Sequence, residues 1–510
     1  MKLLQRIRSF LTSRLFVTSL LILIQLMALI IPFILLGQYS VYIHAAISLL
    51  SLIISIALSS SAKHAPFHLI WIIILLGAPI AGWPLYLILR HNQNESRATK
   101  RCDRIAAKLN ALPIGGHNPA DLNSCQKHPF RREMYLLHNA GYSPVFTQTA
   151  TEYFPNGESF YPVFLEKLKT AEKFIFMEYF ILNDGFFWQE IRKILLEKAE
   201  QGVEIRILHD DLATISSING AFTRELRKKG IRIYPFNPYR AAVDSFMNYR
   251  DHRKITVIDG KIGFTGGINL SDEYINAVER FGYWKDCALM LKGDAVSALT
   301  RAFLKLWSFA VEEQDDIAKY LISPSVTANG IVQPYCDSPT DDVRIGRDTY
   351  HTLISSANRY VWITAPYLIL EPAMTDQLCM AAASGVDVRI VTPSIPDKPY
   401  VHAVTRSNYE TLIRAGVRVY EYTPGFIHAK TIVADDVAAL VATTNFDIRS
   451  FYSLFENGVL LYSTPTIHKL KDDFLTIFSE SKEMTLESSK PKNLACKLAR
   501  DVCRIFAPFM

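Results

Sequence analysis

Two stretches of this chain repeat one another. His252-Arg-Lys254-Ile-Thr-Val-Ile-Asp259 is followed by Gly266, Gly267 and Asn269, and His428-Ala-Lys430-Thr-Ile-Val-Ala-Asp435 by Ala442, Thr443 and Asn445. In both, Lys lies two residues beyond His, Asp seven and Asn seventeen, and the two histidines are 176 residues apart. Strand-like segments repeat with nearly the same period. GVEIRIL (202–208) and GVDVRIV (385–391) lie 183 residues apart; KFIFMEYF (173–180) and RYVWI (359–363) precede them, each across a helical pattern. Strands alternating with helices predict an α/β fold. The duplication predicts two similar lobes, with a site between them built from both.

The spacing carries chemistry. Residues i and i+2 of a strand share a face, so His252 points with Lys254 and His428 with Lys430. Asp259-Gly260 is a tight-turn signal, and a returning strand at 262–265 brings Asn269 to the same edge. Taken alone, His-x-Lys is a common surface-strand pattern, and an acid at its end is a common turn residue. A turn role is expected of Asp259 and Asp435 even as members of a catalytic motif. Duplication at equal spacing singles out the set. Two lobes meeting face to face bring together two imidazoles, two ammoniums and two amides, which suits a phosphodiester. No Asp/Glu/His cluster at metal-ligand spacing is evident, and the other histidines are scattered. Glu178, in a buried-strand pattern, is expected to be paired.

Three apolar runs open the chain, at 15–36, 39–58 and 67–89. Each is about long enough to cross a ~30 Å hydrocarbon core as a helix. Both flanks of the set are basic: residues 1–108 hold eleven Lys/Arg against two Asp/Glu, whereas 109–510 hold 44 against 47. The positive-inside rule puts both flanks in the cytoplasm, which needs an even number of crossings. Gly77, Pro79, Gly82 and Pro84 break the third run. A two-helix hairpin turned at 37–40, followed by a re-entrant segment, is therefore favoured over three crossings with the large domain outside. With hydrophobic residues at 49% and charged residues at 20%, the chain is not disordered. Seven cysteines without a CxxC pair argue against a disulfide framework or a cysteine-zinc site.

The expected organisation is a membrane region at 1–91, a linker at 92–145, lobes at 146–320 and 321–484, and a C-terminal helix at 485–510. Leu494, Leu498, Val502, Ile505 and Phe509 recur there at helical spacing beside Lys497, Arg500 and Arg504. That stripe suits either a membrane surface or the side of the lobes.

The two H-x-K-x4-D motifs resemble those of the phospholipase D superfamily. The stretches at 249–274, 282–293, 393–436 and 445–452 resemble bacterial cardiolipin synthases. Two departures stand out: Ala442-Thr443 where the family usually has Gly-Ser, and Leu454 where it usually has Asn. The resemblance implies two phospholipase D-like lobes, with mixed sheets flanked by helices in a pseudo-twofold arrangement, behind N-terminal membrane helices. It also implies exchange through a phosphohistidine, converting two phosphatidylglycerols to cardiolipin and glycerol without metal or cofactor. By this analogy His252 is the nucleophile and His428 the acid/base, although the symmetric motifs themselves do not distinguish them. Lys254, Lys430, Asn269 and Asn445 are expected on the phosphoryl oxygens, and Asp259 and Asp435 complete the motifs. Glu273 and Glu456 are candidates to fix the histidine tautomers. The implied partners are phosphatidylglycerol and other anionic lipids, not nucleic acid, and the implied place is the bacterial cell membrane with the lobes in the cytoplasm. Hydrolysis by a phospholipase D, another lipid donor or acceptor, and a non-enzymatic lipid-binding protein remain as alternatives.

Overall fold

The computed structural model describes residues 40–60, 65–80, 82–83, 97–238, 248–311, 316–322, 324–491 and 493–510, together with Met27 and Tyr86. The chain divides into two compact units, one of residues 1–100 with 238–249 and one of 101–237 with 250–510.

In the first unit a helix spans Ser40–Ser60. Its Val41–Ser60 portion is long and apolar enough to cross a membrane. A second helix, Ala65–Gly77, packs against it. The Trp83 indole donates to Ser51 Oγ at 3.1 Å. The second helix ends two residues before Pro79, which cannot supply the next backbone donor. Its 13 residues rise only about 20 Å, less than a ~30 Å core. Apart from Met27 the first apolar run lies outside the described residues, as does the expected turn at 37–40 except for Ser40, which begins the first helix.

The second unit holds two sheets of matching topology. The strands of the first are β1 (Thr149–Phe154), β2 (Phe174–Tyr179), β3 (Glu204–Asp210), β4 (Arg232–Phe236), β6 (Lys254–Ile258), β7 (Ile262–Gly266) and β9 (Ala288–Gly293), with β5 (Arg250–Asp251) and β8 (Tyr283–Lys285) outside it. They lie in the order β1-β9-β7-β6-β2-β3-β4. The second sheet uses β10 (Ile331–Asp337), β11 (Tyr360–Thr364), β12 (Asp387–Pro393), β13 (Arg418–Tyr422), β15 (Thr431–Ala434), β16 (Ala438–Ala442), β17 (Leu454–Tyr462) and β18 (Ser481–Glu483), and β14 (Gly425–Ile427) stands apart. Its order, β10-β17-β16-β15-β11-β12-β13, repeats the first sheet strand for strand before β18 closes the edge. β2, β3 and β4 are parallel to one another, as are β11, β12 and β13; the other neighbours in both sheets are antiparallel. Helices cover the faces. On the first sheet, Phe160 and Phe164 of helix Gly157–Lys169 meet Phe187 and Phe264 in a buried aromatic cluster.

Both motifs sit on hairpins, β6–β7 and β15–β16. Asp259 and Gly260 have φ of 53° and 64°, and Asp435 and Asp436 have 54° and 63°. Both turns therefore take the left-handed form that matches strand twist. The lobes also exchange strands. β5 pairs in parallel with the start of β17, and β8 pairs in parallel with β14.

From Arg101 on, the expected linker at 92–145 is an integral part of this unit. Helix Arg131–Gly141 packs on helix Ile345–Ser356, and Phe130, Met134, Leu137 and Val145 are fully buried. Its Pro and Gly residues mark turns between packed elements, not a solvated tether. The C-terminal helix, Leu494–Ile505, lies along helix Pro399–Ser407.

Candidate active site

The strand exchange delivers both histidines to one place. His252 follows β5, and its backbone amide donates to Phe455 O at 3.0 Å in the other lobe. His428 follows β14, and its amide donates to Lys285 O at 2.7 Å, again across the lobes. Gly425 is required there: a Cβ would lie 2.1 Å from Tyr283 O. His252 and His428 line a single cavity of about 360 Å³. That volume is within the ordinary range of small-ligand sites.

Each imidazole is held by a carboxylate from the opposite lobe. His252 Nδ1 lies 2.9 and 3.1 Å from the two oxygens of Glu456. His428 Nδ1 lies 2.7 Å from Asp286 Oδ2. An ionised carboxylate only accepts, so Asp286, and Glu456 in its ionised form, place the proton on Nδ1 and leave the lone pair on Nε2. Lys430 Nζ also approaches His428 Nδ1, at 2.8 Å. With the Nδ1 proton directed to Asp286, that contact is a close approach of two donors, and the lysine's hydrogen bond goes to His428 O. Rings fix the imidazoles from the sides, Phe180 against His252 and Tyr274 with Trp284 against His428.

The charge states follow from burial. Burial lowers both imidazoles, and Lys254 and Lys430 lower them further, His252 well below its ordinary value and His428 to about 3. Both are neutral near pH 7. Burial also brings Lys254 down to about 7 and Lys430 to about 8. Glu456 is pushed up to about 7 by burial, against the pull of Lys254. Burial raises Asp286 too, but His428 and Lys430 outweigh it and hold that carboxyl below its ordinary range. An anion placed in the cavity would favour the protonated lysines and imidazoles, by the attraction of opposite charges at close range.

The predicted asparagines and lysines are placed differently. Asn269 and Asn445 line the cavity with the histidines. The Asn269 amide is engaged, donating to Tyr274 Oη at 2.8 Å and accepting from Ile181 N at 3.0 Å. Asn445 Oδ1 is buried and has no hydrogen-bond partner among the described residues. Lys254 and Lys430 lie beneath the histidines and outside the cavity lining; their ammoniums donate to the carbonyls of His252 and His428.

Asp259 and Asp435 take the turn role expected of them, and it is their place in the catalytic set that needs correction, because neither lines the cavity. Asp259 accepts from the amides of Glu172, Lys173 and Phe174 at 2.9, 2.7 and 2.8 Å. Asp435 does the same for Asn358, Arg359 and Tyr360 at 2.7, 2.8 and 2.9 Å. A strand advances about 3.3 Å per residue, so seven residues carry each Asp to the far end of its hairpin. Glu273 lines the cavity but holds no histidine; it bonds Ser271 and, at 3.0 Å, Arg280. The position expected of Glu273 belongs to Asp286, and Glu456 serves the other lobe's histidine. Glu178 is paired as expected, 2.7 Å from Arg253 Nε.

The two sequence departures have defined places. The Thr443 hydroxyl donates to Glu456, so it tethers the carboxylate that orients His252. Its counterpart is Gly267, where a Cβ would stand 2.0 Å from Asp286 Oδ1. Leu454 joins the apolar part of the cavity wall.

A family model described as cardiolipin synthase, phospholipase D-like domain, matches residues 164–307 and 350–478, one match in each lobe. A cardiolipin synthase of Geobacillus kaustophilus is 34% identical over 93% of this chain and 94% of its own. An uncharacterized protein of Streptococcus mutans is 43% identical over 73% of this chain and 81% of its own. Among solved structures, the phosphatidylserine synthase of Haemophilus influenzae covers 74% of this chain and 97% of its own with a TM-score of 0.58, at 14% identity. That likeness is one of fold.

Proposed function

The chain belongs to the cardiolipin synthase family of phospholipase D-like proteins, and from that membership we infer that it is a phosphatidyltransferase joining two phosphatidylglycerols into cardiolipin and glycerol. The observation that carries this reading is the pair of neutral imidazoles on one cavity, each fixed at Nδ1 by a carboxylate of the opposite lobe. His252 Nε2 attacks the donor phosphorus, an N–P bond forms, and the P–O bond to glycerol breaks. His428, protonated once the anionic substrate is bound, gives its proton to the departing alkoxide. It then takes the proton of the second lipid's terminal hydroxyl as that oxygen displaces the histidine. Two displacements replace one difficult exchange. The ammoniums of Lys254 and Lys430 turn from the histidine carbonyls onto the phosphoryl oxygens, where charge develops.

Anchoring at the bilayer favours a lipid acceptor over water by raising its local concentration. The apolar helix Val41–Ser60 and the basic flanks support a two-crossing anchor in the bacterial cell membrane, with the lobes in the cytoplasm. The C-terminal helix supports contact with the same surface. Leu494, Leu498, Val502 and Phe506 are exposed in one row, Lys497 and Arg504 are exposed nearby, and Met510 farther along the chain reaches the cavity wall. The test is direct. Purified protein in phosphatidylglycerol vesicles releases glycerol and forms cardiolipin in equal amounts. Phosphatidic acid as the only lipid product identifies a hydrolase instead.

A further inference from the structure

Three acids line the cavity, and each has a partner. Glu273 is paired with Arg280 at 3.0 Å. Asp397 accepts from Tyr367 Oη at 2.6 Å. Asp447 accepts from Ser450 N at 2.7 Å. Two basic residues of the same wall are different: among the described residues, no carboxylate lies within 4.0 Å of Lys398 or Arg449. Lys398 is exposed at the start of helix Pro399–Ser407, with its ammonium 5.2 Å above the Tyr367 ring. Arg449 is half-buried, four residues beyond Asn445, whose buried Oδ1 has no partner. Both charges are felt at His252 and at Asp447, so they lie within electrostatic reach of the cavity floor.

We propose that Lys398 and Arg449 form a second anion subsite of this cavity, one that holds the phosphodiester of the acceptor lipid while its terminal hydroxyl attacks the phosphohistidine. The inference rests on the synthase reading above and adds what selects the acceptor. In phosphatidylglycerol the attacking hydroxyl stands three carbons from a second phosphodiester. That anion has to enter a cavity already holding the transferred phosphoryl group, whose charge the two floor ammoniums offset. In a dry site an uncompensated second anion is repelled strongly, so it needs its own countercharge. Unpaired cations at the rim provide it at little cost, since no salt bridge has to break first. Water carries no such anion, so the pair favours lipid over water. In the step itself the acceptor O–P bond forms, the His252 N–P bond breaks, and the hydroxyl proton passes to His428.

The experiment compares the wild type with Lys398→Gln, Arg449→Gln and Lys398→Arg in phosphatidylglycerol vesicles containing ethanol. Ethanol is a neutral acceptor that yields phosphatidylethanol from the same donor. The ratio of cardiolipin to phosphatidylethanol should fall roughly tenfold or more in each Gln variant, the effect of losing a charge-assisted contact. Lys398→Arg should stay near the wild-type ratio. An unchanged ratio overturns the subsite, and so does a parallel loss of both products, which would place these residues on the donor or on folding. A wild type that makes neither product overturns the synthase reading itself, and the subsite with it.

Discussion

Glu456 stands on the second lobe and holds the imidazole of His252, which stands on the first, with Nδ1 2.9 and 3.1 Å from its two oxygens. Asp286 does the same for His428 in the opposite sense. For neither of these two histidines does one lobe supply both the imidazole and the carboxylate that holds it. The candidate site is therefore built at the interface, from both lobes at once.

Crossed positioning predicts paired losses. Asp286→Asn and Glu456→Gln remove the acceptor that fixes each tautomer while leaving the shape almost unchanged. Turnover should fall by roughly 10²- to 10⁴-fold in both, the range for disabling general acid–base catalysis. Thr443→Val frees Glu456 without removing it and should produce a smaller loss. Glu273→Gln, which touches no histidine, should be the mildest of the four. Initial rates of glycerol release check the order; a Glu273 effect as large as that of Asp286 would contradict the assignment.

The histidines can be told apart with a donor bearing a good leaving group. A nitrophenyl phosphatidyl ester needs no proton on departure, so His428→Asn should still form the covalent intermediate on His252 from that donor. From phosphatidylglycerol, whose alkoxide does need the proton, the same variant should lose about 10³-fold or more. Acid-labile label retained on the protein after denaturation reports the adduct, and peptide mapping locates it. Label on His428 in a His252→Asn protein, with none in the converse variant, would reverse the roles.

Asp259 and Asp435 complete the motif without reaching the cavity. Each carboxylate caps three consecutive backbone amides at the start of β2 or β11. Their loss should appear in stability, not chemistry. Asp259→Ala strands those amides at a cost of about 2–4 kcal/mol, while the fraction that remains folded turns over normally. Urea titration paired with active-site titration separates the two effects. A fully folded but inactive variant would return Asp259 to the catalytic set.

Much of this site was legible in the sequence because it is written in short-range geometry. The two-residue period puts His and Lys on one face, the turn residues close the hairpin, and the repeat announces a second copy. The residues that went unread obey other rules. Asp286 lies 34 residues beyond His252, whereas Glu456 lies 28 beyond His428, so no constant spacing reveals the pair. The loop between Asn269 and β8 is longer than its counterpart before β17, and only strand alignment brings the acids into register. That each acid serves the other lobe's histidine follows from β5–β17 and β8–β14 pairing, which no local pattern encodes. The lysine orientation is a rotamer choice made by nearby carbonyls. The packed helix at 131–141 was obscured because its segment also carries turn residues.

The imidazoles also make stability depend on pH. His428 titrates at about 3 in the folded chain, lowered by burial first and then by Lys430, against an ordinary 6.5. Between those values the unfolded chain binds a proton that the folded chain does not, so stability increases as pH rises from about 3 to 6.5. Denaturation midpoints of the detergent-solubilised protein should therefore climb between pH 4 and 6.5. His428→Asn, which has no proton to bind, should climb less steeply. Equal slopes would mean that His428 is already charged in the resting protein.

The exposed row on the C-terminal helix leads to a last expectation. Leu498 and Val502 face solvent on a helix from which the chain runs on to Met510 in the cavity wall. Exposed apolar side chains beside basic ones on a helix adjoining the cavity gain from burial at a bilayer surface, where each buried side chain is worth about 1–2 kcal/mol. Leu498→Ser/Val502→Ser should weaken that seating. Activity on phosphatidylglycerol in vesicles should then fall several-fold more than activity on a dispersed short-chain analogue, which reaches the cavity from water. The ratio of the two rates is the readout. If the double variant lowers both rates alike, the row packs against protein and the helix serves only the fold.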